Sequence, residues 1–157
     1  VEREAASGDP QAFAFPRAML DADNLDFSFS GLKTAVLYAV RGQDLKGPKE
    51  PPAGQFRADV AASFQQAVVD VLVLKCRRAL RQTGLKRLAV GGGVTANKAF
   101  RAALEQMAAK EGVELFIPPA SLCTDNAAMA ALAVEKWRRQ MWAPLDLDAE
   151  PTFQGQV

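Results

Sequence analysis

The chain has 157 residues, 49% hydrophobic and 24% charged, with a formal charge of +1. At that length one domain can bury roughly two thirds of its unfolded surface, and the near-neutral balance excludes a strongly basic whole-chain footprint, so any nucleic-acid contact must be local. No apolar run reaches the roughly 20 residues of a membrane span and no signal-peptide pattern opens the chain, which predicts a soluble, cytoplasmic protein with no membrane partner.

The first segment, "VEREAASGDPQAFAFP", reads as the end of a helix stopped at Gly8 and a proline-punctuated loop through Pro16. Because the chain starts inside that helical pattern, it reads as a piece of something longer. Leu25, Phe27 and Phe29 alternate with Asp26, Ser28 and Ser30, predicting a short strand before helical spacing takes over at Leu32, with Ser30 as cap. "GQDLKGPKEPPAGQ" predicts a surface loop. Asp59 to Arg81 predicts a long helix, apolar on more than one face, with Arg77, Arg78 and Arg81 near its end and Gly84 just beyond. "LKRLAVGGG" then predicts a strand, "ANKAFRAALEQMAAKEG" a helix with Phe100, Leu104 and Met107 on one stripe, and "VELFIPP" a second strand. That order predicts a parallel strand pair at Leu88–Val90 and Leu115–Ile117. A final helix is predicted from about Asn126 to Met141, followed by a tail from 143 to 157.

Gly91, Gly92 and Gly93 fall where a parallel strand meets the next helix. Backbone N–H groups are unpaired there and the helix dipole is positive, so an anion can bind if side chains leave room. The other reading is a tight turn packed closely on a neighbour. Gly91, Gly93 and Ala96 also fit G-x-G-x-x-A, but the ribose-binding acid expected near the end of the next strand is replaced by Pro118 and Pro119, and Glu114 stands at the wrong end. A phosphate-binding lysine loop fails because Leu32 precedes Lys33. Asn97 either caps the helix or bonds a ligand above the glycines. Asp125 either caps the last helix or contributes to a metal site that one carboxylate cannot make alone. Cys76 and Cys123 lack C-x-x-C spacing and read as ordinary thiols. With no histidine in the chain, neither a Ser-His-Asp triad nor an H-E-x-x-H site can be built from it.

Taken in order, "GDPQAFAFPRAML", "LDFSFSGLKTAV", "DVAASFQQAVVDVL", "VGGGVTANKAFR" and "IPPASLCTDNAAMAALA" resemble the C-terminal half of the TsaD family, over about Val1 to Val134. These are tRNA N6-adenosine threonylcarbamoyltransferases, formerly called O-sialoglycoprotein endopeptidases. The resemblance implies an α/β fold, helix-rich with a small partly parallel sheet, as the second domain of the actin-like, sugar-kinase and heat-shock-chaperone ATPase fold; residues 1–142 would form it. It implies transfer of threonylcarbamoyl from threonylcarbamoyl-adenylate to the adenosine beside the tRNA anticodon. Asn97 would then contact the adenylate, Gly91, Gly92 and Gly93 would line the nucleotide cleft, and Glu2 would stand where many members carry an aspartate that touches the nucleotide's sugar. Asp125 would be a ligand to one divalent metal ion, iron in preference to zinc. The other ligands would be histidines of an H-x-x-x-H motif in an N-terminal half that this chain lacks, so the chain alone should be inactive. Ser30 and Lys33 lie in a signature block without an assigned role, and no catalytic acid or base is assigned. The resemblance further implies tRNA, a TsaB-like paralogue and a TsaE-like ATPase as partners. Two other functions compete: a non-catalytic scaffold paralogue of the same fold, against which the glycine run and Asp125 argue, and the old metalloprotease label, which no zinc-binding helix here supports.

Overall fold

A computed structural model describes residues 1–18, 24–47, 50–123 and 127–144. They divide into two compact units, Val1–Cys123 and Thr124–Val157. In the first, α1 (Glu2–Ala5), α2 (Ser30–Arg41), α3 (Gly54–Thr83), β1 (Arg87–Ala89), α4 (Lys98–Glu111) and β2 (Glu114–Phe116) follow in chain order.

The spine is α3, a helix of 30 residues that touches α1, α2 and α4. Its alternating demands explain its mixed composition: Ala58, Ala62 and Ala67 are buried where other segments lie close, and Val69, Val71 and Leu80 fill the core. It ends where the left-handed Gly84 (φ 68°) returns its N–H to the Leu80 carbonyl. The helix begins at Gly54, earlier than the Asp59 the sequence predicts. Gly54 and the polar first turn are inside it because the segment 7–13 packs along that end and stabilises it. Ser63 Oγ donates to the Asp9 carbonyl and accepts from the Phe13 amide, both at 3.1 Å. Asp59 accepts from the Asp9 amide at 2.8 Å. Gly8, just beyond α1 and its cap Ala6, lies so close to α3 that a Cβ there would stand 2.0 Å from the Ala58 carbonyl oxygen, which is why this position is a glycine.

Two apolar clusters use opposite ends of α3. One gathers Phe15, Leu32, Val60 and Ala67, with Phe13 and Phe64 against them. The other gathers Val69, Leu80, Phe100, Leu104 and Met107, with Leu88 and Leu115 from the strands. The stripe predicted on α4 is thus the core face, and each fully buried side chain such as Leu104 contributes roughly 2 kcal/mol of transfer free energy.

The two strands form a parallel pair in the register Arg87 to Glu114, Leu88 to Leu115 and Ala89 to Phe116. Strand, helix, strand order therefore gives the helix-rich α/β unit with a small parallel sheet that the sequence predicts. Three expectations are corrected. Residues 24–29 form no strand; the alternation of Phe27 and Phe29 is satisfied by stacking, with ring centroids 6.5 Å apart, and the segment is fastened by the buried Lys75, whose Nζ donates to the Asn24 carbonyl (2.7 Å) and Oδ1 (2.9 Å). Ser30 is the first residue of α2, whose cap position is Phe29 with no side-chain bond. In the second unit, α5 spans only Ala131–Arg138, preceded by a 3-10 turn at Ala127–Ala130, because Gln140 takes a left-handed φ of 57° just beyond it and ends the predicted run short of Met141.

Candidate nucleotide-binding site

The carboxyl ends of β1 and β2 open on a cavity of ≈530 Å³ lined by Ala89, Val90, Gly91, Phe116, Ile117 and Pro118 among others. Ligands of parallel α/β sheets bind outside such strand ends. Gly91 lines it, and Gly92 and Gly93 continue from it as an exposed turn. A Cβ on any of the three would meet nothing within 4 Å, so the close-packing reading of this run fails and the open one stands. Gly92 adopts φ 91° and ψ 167°, a region in which a side chain is strained. Among the described residues the three glycine N–H groups donate to nothing.

The glycines do not run directly into the helix. A 3-10 turn, Gly93–Ala96, intervenes and α4 starts at Lys98. The turn is closed by Thr95, 1% exposed, whose amide and Oγ1 donate to the Gly92 carbonyl at 3.1 and 2.7 Å. Of the first N–H groups of α4, which the sequence offers to an anion, those of Lys98, Phe100 and Arg101 are already partnered. Asn97 Oδ1 accepts from the Phe100 amide at 2.9 Å, so Asn97 is the helix cap. Glu2 Oε1 accepts from the Lys98 amide at 2.8 Å. The glycine turn thus leaves open backbone donors, and Glu2 is a carboxylate, an acceptor suited to hydroxyls.

Asn97 also donates Nδ2 to Gln65 Oε1 of α3 at 2.7 Å. That bond fixes which way the amide faces, and Gln65 is a residue the sequence reading did not single out. Arg101, equally unmarked, donates to the Thr95 carbonyl through Nε and to the Pro118 carbonyl through Nη2 at 3.2 Å. Only a tertiary contact reveals either. Glu2, Asn97 and the glycine turn are thus brought together, whereas Asp125 lies outside the described residues. Among the described residues no group of three His, Cys, Asp or Glu converges. Cys76 packs against the α3–α4 core, where burial pushes its thiol pKa up, and Cys123 is buried beside Pro118 and Pro119. Both are free thiols.

A parallel sheet with a glycine turn at its carboxyl end and a capped helix behind it makes a helix-rich α/β unit whose open donors at the strand ends are backbone amides. The model of the TsaD family, tRNA N6-adenosine threonylcarbamoyltransferase, matches residues 1–132, and the chain belongs to that family. A curated tRNA N6-adenosine threonylcarbamoyltransferase from Syntrophotalea carbinolica is 53% identical over 85% of this chain and 37% of its own length. Those from Rhodopirellula baltica and Thermotoga neapolitana are 47% and 48% identical over 98% of this chain, and 46% and 44% of their own lengths. The chain spans less than half the length of these relatives. No helix among the described residues is long and apolar enough to cross a membrane.

Proposed function

We propose that this chain supplies the C-terminal half of a tRNA threonylcarbamoyltransferase and that its glycine turn holds the adenylate of threonylcarbamoyl-adenylate. The observation that carries the reading is that the three glycine amides donate to nothing among the described residues, with Gly91 lining the strand-end cavity and Glu2 and Asn97 at the adjoining start of α4. In the transfer, N6 of the adenosine attacks the carbamoyl carbon and loses a proton, a C–N bond forms, and the bond to the phosphate oxygen breaks to release AMP. Backbone N–H groups aimed at that phosphate stabilise the charge it gains as it leaves. Glu2 accepts from a sugar hydroxyl, and the remaining Nδ2 hydrogen of Asn97 is available to the ligand.

On the same reading, residues 1–142 are the second half of an actin-like ATPase fold and 143–157 a tail. Asp125 is one ligand of a divalent metal ion, iron in preference to zinc, whose histidine ligands belong to the N-terminal half. The setting is the cytoplasm, with tRNA as substrate and TsaB-like and TsaE-like proteins as partners.

The test is modification of tRNA by the full-length protein, read as threonylcarbamoyladenosine by mass spectrometry. Gly91→Val and Asn97→Ala should each lower kcat/KM by about 10- to 100-fold, the loss of one or two ligand hydrogen bonds. Asp125→Ala should remove the metal as well as the activity. Full activity in Gly91→Val and Asn97→Ala would overturn the assignment of the turn.

A further inference from the structure

We infer that Arg101 is a positioning residue that fastens the glycine turn to the segment leaving β2, so that a nucleotide on the turn is felt at Cys123. The inference rests on the nucleotide reading of the turn given above.

Arg101 stands in the first turn of α4 and is half-buried. Its guanidinium bridges two loops. Nε donates to the Thr95 carbonyl, in the 3-10 turn that follows β1. Nη2 donates to the Pro118 carbonyl, after β2, at 3.2 Å and lies 3.9 Å from Cys123 Sγ. These loops leave the carboxyl ends of adjacent parallel strands, and they are the two rims of the ≈530 Å³ cavity. From Thr95 the chain of contacts continues to the Gly92 carbonyl through the Thr95 amide and hydroxyl. From Pro118 it continues to Cys123, whose Sγ reaches the Pro118 and Pro119 carbonyls at 3.4 Å each and which is 4% exposed.

Among the described residues Arg101 has no carboxylate partner, and its donors meet backbone carbonyls. Such a group contributes geometry, because a planar fork with donors on two edges can hold two carbonyls at a fixed separation, which a lysine ammonium cannot do. If nucleotide binding orders the glycine turn, Thr95, Arg101 and Pro118 carry that order to the second rim. By reciprocity, loosening the second rim weakens the nucleotide.

The experiment uses the full-length protein with AMP as probe. Iodoacetamide labelling of Cys123 is followed by peptide mass spectrometry, with Cys76 as the internal control for unfolding. In the wild type AMP should slow Cys123 labelling several-fold. In Arg101→Lys, Cys123 should label faster without nucleotide, AMP should no longer protect it, and AMP affinity by calorimetry should fall at least tenfold while Cys76 labels at its wild-type rate. Arg101→Gln, which retains a single edge of donors, serves as the second variant if Arg101→Lys does not fold. Retained AMP protection or unchanged AMP affinity in a folded variant would overturn the coupling and leave the nucleotide reading intact. A wild-type protein that does not bind AMP would remove both.

Discussion

The Glu2 carboxylate accepts a hydrogen bond from the Lys98 amide at 2.8 Å across 96 residues of sequence. It is a charge placed on the positive end of a helix that is already capped by Asn97. Glu2→Ala should therefore destabilise the fold by about 0.5–1 kcal/mol, the worth of an anion at a helix start. Glu2→Gln should recover part of that, since the amide oxygen still accepts. Urea unfolding followed by circular dichroism measures both.

Asn97 has two duties that substitution can separate. Asn97→Asp keeps the acceptor for Phe100 but loses the donor to Gln65, and sets a carboxylate against the Gln65 oxygen. Stability should change by less than the roughly 1 kcal/mol expected for Asn97→Ala, while AMP affinity falls in both. Equal AMP affinity in Asn97→Asp and wild type would show that the orientation set by Gln65 is irrelevant to the ligand.

The glycines divide by mechanism. Gly8→Ala forces a methyl against the α3 backbone, 2.0 Å from the Ala58 oxygen, and should cost about 1–3 kcal/mol or more through overpacking. Gly91→Ala meets open space and should leave the melting temperature nearly unchanged. Gly92→Ala has the same open space but a φ of 91°, so it should lose about 1–3 kcal/mol to backbone strain alone. Thermal melts of the three variants should order Gly91, Gly92, Gly8 from least to most damaging, or with the last two close.

Acid should weaken the attachment between the far ends of α3 and α4. Glu111 accepts from Arg81 Nη2 at 2.6 Å and Nε at 3.1 Å, and that guanidinium holds the Glu111 carboxyl below its usual range. A depressed carboxyl contributes stability that is fully present above its unfolded pKa and is lost as pH falls through the folded one. The loss thus lies on the acid side of the ordinary glutamate range. Glu111→Gln should flatten the stability profile in that window and leave the slope above it alone, as denaturant melts at several pH values would record.

The α4 stripe of Phe100, Leu104 and Met107, the parallel strands and the terminating Gly84 were legible because each is a local pattern with a single physical cause. Leu25 to Phe29 misled for the same reason. Period two is what a strand requires, but a strand also needs an edge to pair with, and Asn24 is held by Lys75 instead. The open glycine turn and the cap at Asn97, one of its two readings, were legible in the sequence. The support around them was not: Gln65 and Arg101 act through partners 32 and 17 residues away, and nothing in their own neighbourhood marks them. The glycines were placed one element too close to the helix because a four-residue 3-10 turn has no sequence period of its own.

The two bonds joining α3 and α4 also have a mechanical meaning. Asn97 meets Gln65 at one end of α4 and Glu111 meets Arg81 at the other, so the two helices run in the same direction and are riveted near both ends. At a rise of 1.5 Å per residue the rivets are about 24 Å apart along α3 and about 21 Å along α4. A rod held at two points can neither slide by a turn nor swivel on its neighbour; it can only bow. The glycine turn, joined to one rivet through Asn97, is therefore mounted on a stiff frame.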